Sequence, residues 1–198
     1  MIRVLALLLV LTLTACSNAN LSSEQQRLKD FEPGVFQESD LSMYDDENKI
    51  EIRMGMSKDD VEAALGEPIE TKDFIGVYVY PGIEVHYKEN LVNGLLITDN
   101  TNNYKKFRTA RGVKFGDSEE AVFNNYGLEE KQRSLGDSIR TVTYIVEKTT
   151  KGYEVRDSFN EALNKENVFS LSMNIDKNDG VGYIMIADYE FSTNPSGK

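Results

Sequence analysis

The chain has 198 residues, and its 33 Asp and Glu residues outnumber its 22 Lys and Arg residues, which gives a formal net charge of −11. A single Cys excludes an internal disulfide, and one His with one Cys excludes a zinc site built from several such ligands. The acidic balance argues against a nucleic-acid-binding protein, because phosphate backbones require a surplus of Lys and Arg.

The N-terminus has the pattern of a secretory signal. Arg3 is followed by an apolar run from Val4 to Leu13, which is too short to span a bilayer as a helix, since that takes about 20 residues. Small residues end the run, as a cleavage site requires. These features predict a signal peptide over residues 1–15.

The four residues Leu13-Thr14-Ala15-Cys16 resemble the lipobox of bacterial lipoproteins. The resemblance implies that the Cys16 thiol receives a diacylglycerol and that the signal peptidase cuts before this residue. The alternative is an ordinary secretory signal with a chance cysteine or a buried structural thiol. Because two acyl chains hold a protein stably on a membrane, a lipidated Cys16 predicts anchoring to the extracytoplasmic face of a bacterial cell membrane.

Residues 16–49 follow as the lipidated Cys and a predicted tether. The segment is polar and poorly periodic, and it contains Pro33-Gly34 and an acidic run at residues 45–47, which is typical of a flexible stalk. A capping pattern at Ser22 can begin a short helix. Some apolar residues can also pack on the domain, namely Val35, Phe36, Leu41 and Met43.

Two later segments, residues 52–66 and 113–127, align without gaps. The identical pairs are Gly55/Gly116, Ser57/Ser118, Val61/Val122 and Gly66/Gly127. The serines predict helix N-caps, and the last glycines predict left-handed residues that end each helix. We therefore predict repeat 1 over residues 50–108, repeat 2 over residues 109–191 and a C-terminal tail over residues 192–198.

Alternating apolar residues predict strands after each helix. These strands lie at residues 76–80, 83–87 and 91–98 in repeat 1 and at 139–146, 168–175 and 181–191 in repeat 2. Residues 92–97 also align with residues 181–186. The offset between these two segments is larger than that between residues 52–66 and 113–127, so repeat 2 contains additional residues, which we place near residues 149–167. Within it, Ser158 and Glu161 indicate a further helix. The predicted fold class is α+β, with two related helix–β–β–β units and short helices packed on antiparallel sheet.

The run from Gly55 to Pro68, followed by Tyr78-Val79-Tyr80, resembles the signature of the SmpA/OmlA (BamE-like) lipoproteins. It is also similar to the tandem repeats of the β-lactamase-inhibitor-protein-like fold. The run from Thr109 to Val122 resembles the second repeat of two-repeat lipoproteins of that fold. The resemblance covers residues 50–191 and implies short helices beside an antiparallel sheet, with non-catalytic work by protein–protein contact.

His86 is the single imidazole of the chain. Strand alternation places it with Glu84 and Lys88 on the face opposite Val85, which predicts a solvent-facing histidine at a surface or an interface. Adjacent carboxylates such as Asp59-Asp60 do not face each other on a helix. Residues 176–180 lack the spacing of a calcium loop and indicate a hairpin turn. We therefore predict no catalytic residue, no metal site and no cofactor.

Tyr78 and Tyr80 share one face of a predicted strand, and Val77 and Val79 share the other. If the valines face the helices, the tyrosines line an open sheet face, where Tyr is favoured in binding hot spots. The alternative is that these rings complete the core. The predicted partner-binding residues are Tyr78, Tyr80, His86, Tyr144 and Tyr183.

These features together predict a membrane-anchored extracytoplasmic lipoprotein that acts as a non-catalytic protein-binding module of the cell envelope. Its predicted partners are the membrane, through the lipid on Cys16, and a protein of unidentified kind, with no nucleic acid. One alternative is an accessory factor of envelope or outer-membrane assembly, like the BamE-like proteins. Another is a hydrolase that uses scattered carboxylates.

Overall fold

A computed structural model describes residues 31–72, 76–127, 133–134 and 138–194. The predicted signal peptide at 1–15, the predicted lipidation site Cys16 and the first part of the predicted tether lie outside the described residues. The last four residues of the predicted tail also lie outside them.

The described chain is built mostly from β-strands. The strands are β1 (Ser42–Asp45), β2 (Ile50–Arg53), β3 (Glu70–Lys72), β4 (Val77–Tyr80), β5 (Ile83–Lys88), β6 (Leu91–Thr98), β7 (Phe107–Thr109), β8 (Arg133–Ser134), β9 (Ile139–Thr149), β10 (Gly152–Arg156), β11 (Val168–Asp176) and β12 (Gly180–Asp188). The α-helices are α1 (Lys58–Leu65), α2 (Glu119–Tyr126) and α3 (Tyr189–Thr193). Short 3-10 helices lie at Glu38–Leu41, Tyr104–Lys106 and Lys165–Asn167.

The strands form two antiparallel sheets. The large sheet has the order β10-β9-β11-β12-β6-β5-β4-β3, with β8 also paired to β9, and the small sheet has the order β2-β1-β7. At the centre of the large sheet β6 pairs with β12, and Leu96 lies directly opposite Met185. The two segments that align in the sequence, residues 92–97 and 181–186, are therefore hydrogen-bonded neighbours.

The predicted α+β fold of two helix–β–β–β units is wrong. Strands from both predicted repeats join one continuous sheet, and the helices are short, with eight residues in α1 and α2 and five in α3. The physical reason is that β1, β2 and β7 form a second sheet, whose apolar residues join the same core as those of the large sheet and of the two longer helices. The helix predicted at Ser158 is also not formed, and β10 instead extends the sheet beyond β9.

The main hydrophobic core lies between one face of the large sheet and a layer made of the small sheet, α1 and α2. The small sheet contributes Met43, Ile52 and Phe107, which are all fully buried. The helices contribute Val61, Val122 and Tyr126, also fully buried. Alternate residues of β4, β5, β6, β9, β11 and β12 meet them from the large sheet.

The N-cap predictions at the two longer helices are confirmed. The Ser57 hydroxyl accepts a hydrogen bond from the Asp60 amide at 3.2 Å, and the Ser118 hydroxyl accepts one from the Ala121 amide at 3.2 Å. Gly66 and Gly127 end the helices with positive φ of 82° and 86°, which glycine adopts without the steric cost of a Cβ. Their ψ angles of −168° and 168° are extended, so the two glycines are not in the left-handed helical conformation that the pattern predicted.

The described part of the segment predicted as a tether, residues 31–49, belongs to the fold, because β1 is the middle strand of the small sheet. Phe36, Leu41 and Met43 are buried in the core, whereas Val35 is exposed. The expectation that these residues pack on the domain is therefore confirmed for Phe36, Leu41 and Met43 and wrong for Val35.

Arg111 holds this segment in place. Its Nε and Nη2 donate to the two carboxylate oxygens of Asp40, each at 2.7 Å, and both side chains are almost completely buried. Nη2 also donates to the Val35 carbonyl at 2.6 Å, while Nη1 donates to the carbonyls of Glu32 and Asn125 at 2.9 Å. Because a guanidinium has five N–H groups, every donor of this buried cation has an acceptor.

Candidate interaction face

Helix α3 covers one end of the large-sheet face that points away from the main core. The Phe191 ring packs on the His86 ring with centroids 4.2 Å apart. It lies over Gly94, where an added Cβ would stand 2.9 Å from Phe191 Cδ1. The Ser192 and Ser170 hydroxyl oxygens are 2.7 Å apart. These contacts fix α3 to the sheet.

Helix α3 begins directly after Asp188, and the Asp188 side chain caps its N-terminus. The Asp188 carboxylate accepts a hydrogen bond from the Phe191 amide at 2.7 Å, which is an N-cap interaction. The strand predicted over residues 181–191 therefore ends at Asp188. Burial raises the pKa of the Asp188 carboxyl, although the backbone hydrogen bond to Phe191 opposes this.

The remainder of that sheet face reaches solvent, and we call it the open face. By strand alternation and register it is formed by Glu84, Leu96, Thr98, Thr141, Thr143, Ser172, Asn174, Tyr183 and Met185. All of these side chains are half-buried except Ser172, which is buried. A half-buried sheet face is a surface that a partner can cover without unfolding the domain.

One half of the open face is a ladder of neutral polar groups. The Thr141 hydroxyl donates to Asn174 Oδ1 at 2.8 Å, and the Thr143 and Ser172 hydroxyl oxygens are 3.0 Å apart. Both pairs join residues that lie directly opposite each other on β9 and β11. Their hydrogen bonds hold these side chains in place and leave an uncharged surface.

The other half has an apolar centre. Leu96 and Met185 lie opposite each other on β6 and β12, and the Tyr183 hydroxyl donates to Met185 Sδ at 3.1 Å. Burial and the nearby negative charge of Glu84 raise the pKa of Tyr183 to about 12. The phenol is therefore protonated at neutral pH and offers an aromatic surface with a hydrogen-bonding group.

His86 is buried, with 5% of its surface exposed, so the prediction of a solvent-facing histidine is wrong. The reason is that Phe191 covers the ring, and the sequence pattern had placed Phe191 in a strand. His86 Nε2 lies 2.8 Å from Glu84 Oε1, and this hydrogen bond holds the pKa of Glu84 below its usual value. Phe191 therefore shields the His86 ring from solvent.

The other predicted tyrosines lie on the core face of the sheet. Tyr80 is fully buried, with its hydroxyl 3.2 Å from that of Tyr87, and the Tyr144 hydroxyl donates to the Gly127 carbonyl at 2.6 Å. Tyr78 is half-buried, and the Lys58 ammonium stands 4.0 Å from its ring centroid. The alternative that these rings complete the core therefore applies to Tyr80 and Tyr144.

The structure thus does not bring the five predicted residues together. Tyr78, Tyr80 and Tyr144 lie on one face of the sheet, and His86 and Tyr183 lie on the other. Leu96 and Met185, at the centre of the open face, were missed by sequence reasoning. Strand alternation holds the signal that could have found them, because it separates Leu96 from Leu95 and Ile97 and separates Met185 from Ile184 and Ile186.

Within the described residues, no group of three or more His, Cys, Asp or Glu side chains is placed to hold a metal ion. In the same part of the chain, no helix combines the length and apolar character needed to cross a membrane.

No protein-family model matches the chain, and no curated protein matches it. Among solved structures, it is similar to the crystal structure of a DUF4309 family protein, YjgB, from Bacillus subtilis subsp. subtilis str. 168. The TM-score is 0.39, with 13% sequence identity, over 67% of this chain and 78% of that chain.

Proposed function

We propose that this chain is a lipid-anchored protein of the bacterial cell envelope that binds another protein without catalysis. The observation that carries the proposal is the lipobox-like sequence Leu13-Thr14-Ala15-Cys16 at the end of a short apolar run. Cys16 is the single cysteine of the chain, so lipidation there leaves the folded part without a thiol. The anchor holds the domain at the extracytoplasmic face of the membrane.

The open face supports the binding part of this proposal. The open face has an apolar centre at Leu96 and Met185 and an adjacent tyrosine. Its rim carries neutral hydroxyl and amide groups on one side and the Glu84 carboxylate on the other. An apolar centre with a polar rim is the usual arrangement of protein interfaces. Of the five residues predicted to bind a partner, Tyr183 lies on this face. We therefore assign partner binding to Tyr183, Leu96 and Met185.

Metabolic labelling tests the anchor. The full chain, expressed in a bacterium and labelled with palmitate, should carry label and sediment with the membranes. Cys16→Ser should abolish both, whereas the neighbouring Ser17→Ala should retain both. An unlabelled wild-type chain would contradict lipid anchoring.

Photo-crosslinking on intact cells tests the binding face. A photoreactive residue at position 185 should capture one protein, and capture should fall several-fold when Tyr183→Ala is added. The matched control is position 91, because Leu91 is an exposed apolar residue, 49% accessible, outside the open face. Equal capture from both positions, or none from position 185, would count against the open face as the binding surface.

A further inference from the structure

Strand β10 ends the large sheet at the β9 side. It pairs with β9 over Gly152–Arg156, and among the described residues no other strand pairs with it. An edge strand presents unpaired backbone N–H and C=O groups that can receive another strand. Val155, near the end of β10, is 41% exposed.

The chain that follows β10 crosses the sheet face and leaves this edge uncovered. The amides of Leu163 and Asn164 donate to Glu147 Oε1 at 2.9 Å, and Arg156 Nε donates to Glu147 Oε2 at 2.7 Å. Glu147 lies on β9, so these bonds direct the loop from β10 over β9 towards β11. Leu163 is left 92% exposed.

We propose that β10 pairs with β10 of a second copy of this chain, antiparallel and about a two-fold axis at Val155. In this register Val155 lies opposite Val155 of the second copy. Glu154 then lies opposite Arg156 of the second copy, and this pair occurs twice. Directly opposite residues on antiparallel strands point to the same face and interact.

The charges select this register over its neighbours. A two-fold axis perpendicular to the sheet keeps each residue on its own face. Each allowed axis therefore lies between the two strands, midway between the two copies of one residue. An axis at Glu154 would place two carboxylates directly opposite each other, which is unfavourable. An axis at Tyr153 would place Glu154 opposite Gly152 and form no Glu–Arg pair. An axis at Arg156 would place two guanidinium groups opposite each other, which is also unfavourable. Of these four registers, the one with its axis at Val155 pairs opposite charges across the junction.

Arg156 is positioned to make this contact. It forms ion pairs with Glu147 and with Glu154 of its own chain, with its Nη2 2.9 Å from Glu154 Oε2. Glu147 is almost completely buried, whereas the Glu154 side chain is 40% exposed. Glu147 therefore holds the Arg156 guanidinium at its Nε atom. The exposed Glu154 carboxylate can be exchanged for that of the second copy without leaving a buried charge unpaired.

Disulfide trapping tests the pairing and its register. Residues opposite each other on antiparallel strands have Cα atoms about 4.5 or 5.5 Å apart, within the disulfide range of about 4.4 to 6.8 Å. The full chain with Val155→Cys should form a covalent dimer under mild oxidation at least tenfold faster than the full chain with Ile69→Cys. The matched control is Ile69→Cys, because Ile69 is an exposed apolar residue, 56% accessible, beside the opposite edge of the sheet.

A charge change tests the selected register. Glu154→Arg should place two guanidinium groups opposite each other and slow trapping of Val155→Cys about tenfold, whereas Glu154→Gln should slow it less. Sedimentation of the unmodified full chain in mild detergent should give the mass of a dimer. Trapping of Val155→Cys no faster than Ile69→Cys, or a monomer by sedimentation, would overturn the proposal, as would binding of an unrelated extended peptide that leaves the chain monomeric.

Discussion

Single residues attach the segment of residues 31–40 to the rest of the fold. Arg111 joins Asp40 to the carbonyls of Glu32, Val35 and Asn125, and its guanidinium carbon lies 4.9 to 5.1 Å from the ring centroids of Phe31, Phe36 and Tyr126. No pattern of neighbouring residues predicts this cluster, because Asp40 and Arg111 are 71 positions apart. The helix caps at Ser57 and Ser118 were predictable because each cap needs partners within three residues.

We expect Arg111→Met to lower the free energy of unfolding by about 3 to 5 kcal/mol, because it leaves the Asp40 carboxylate buried without its partner. Urea unfolding at neutral pH measures this change. The matched control is Arg140→Met, which removes an ion pair with Glu119 whose side chains are 48% and 39% exposed. This control should change stability by about 1 kcal/mol or less. Similar losses in the two variants would contradict a special role for Arg111.

At the scale of elements, α3 shows how a short cap overrides a strand pattern. Residues 181–191 alternate in a way that favours one strand, but the Asp188 carboxylate caps a helix instead. Phe191 then turns back onto His86 and Gly94. Gly94 is needed there because a side chain would occupy the space of the Phe191 ring.

We expect Gly94→Ala to cost about 1 to 3 kcal/mol of stability, since overpacking forces the neighbouring side chains to move. In a Phe191→Leu background the same substitution should cost less, because the smaller side chain leaves room for the added methyl group. The matched control is Gly182→Ala on β12, where no atom lies within 4 Å of an added Cβ. Equal costs with and without Phe191 would contradict this contact, and urea unfolding of the four combinations measures it.

At the scale of the whole molecule, buried and paired carboxylates link stability to pH. Backbone hydrogen bonds from Asn164 and Leu163, together with Arg156, hold the pKa of Glu147 below its ordinary value. The hydrogen bond from His86 does the same for Glu84. Burial raises the pKa of Asp45 and Asp46, but hydrogen bonds, from Lys106 and Asn48 to Asp45 and from Arg108 to Asp46, leave both lowered.

A lowered carboxyl pKa means that the folded state binds protons more weakly than the unfolded state. The stability that such a group contributes is therefore present at neutral pH. It is lost as pH falls from the ordinary pKa, which is 4.5 for Glu and 3.8 for Asp, towards the lowered pKa of the folded state. We expect the urea midpoint to fall steeply between pH 5 and pH 3, and Glu147→Gln to flatten that fall.

Asp188 should affect the pH dependence of stability in the opposite direction to Glu147. Burial raises its pKa, so protonation of Asp188 favours the folded state as pH falls. Asp188→Asn keeps a side chain that can cap α3 and should make the acid-induced loss of stability steeper. If both variants changed the pH profile in the same direction, the assignment of these two groups would be wrong.

The strand positions show how much of the fold the local sequence pattern predicts. β4, β5, β6, β9 and β11 lie where alternation predicted them, and β12 differs at its C-terminal end. Alternation also separated Tyr78 and Tyr80 from Val77 and Val79, yet it could not say which pair faces the core. Val77, Val79 and Tyr80 are all buried, because both faces of β4 are covered.

The sequence by itself determined what depends on neighbours along the chain, namely the helix caps, the glycines that end helices and most of the strands. Its composition also excluded an internal disulfide. The lipobox-like sequence at Cys16 remains a prediction of the same local kind. The tertiary structure decided what depends on distant residues. It set the second sheet against the first, placed α3 over His86 and left Tyr183, Leu96 and Met185 open. The physical reason is that a strand with apolar side chains on both faces can be covered on either side, and only the packed elements determine which face remains exposed.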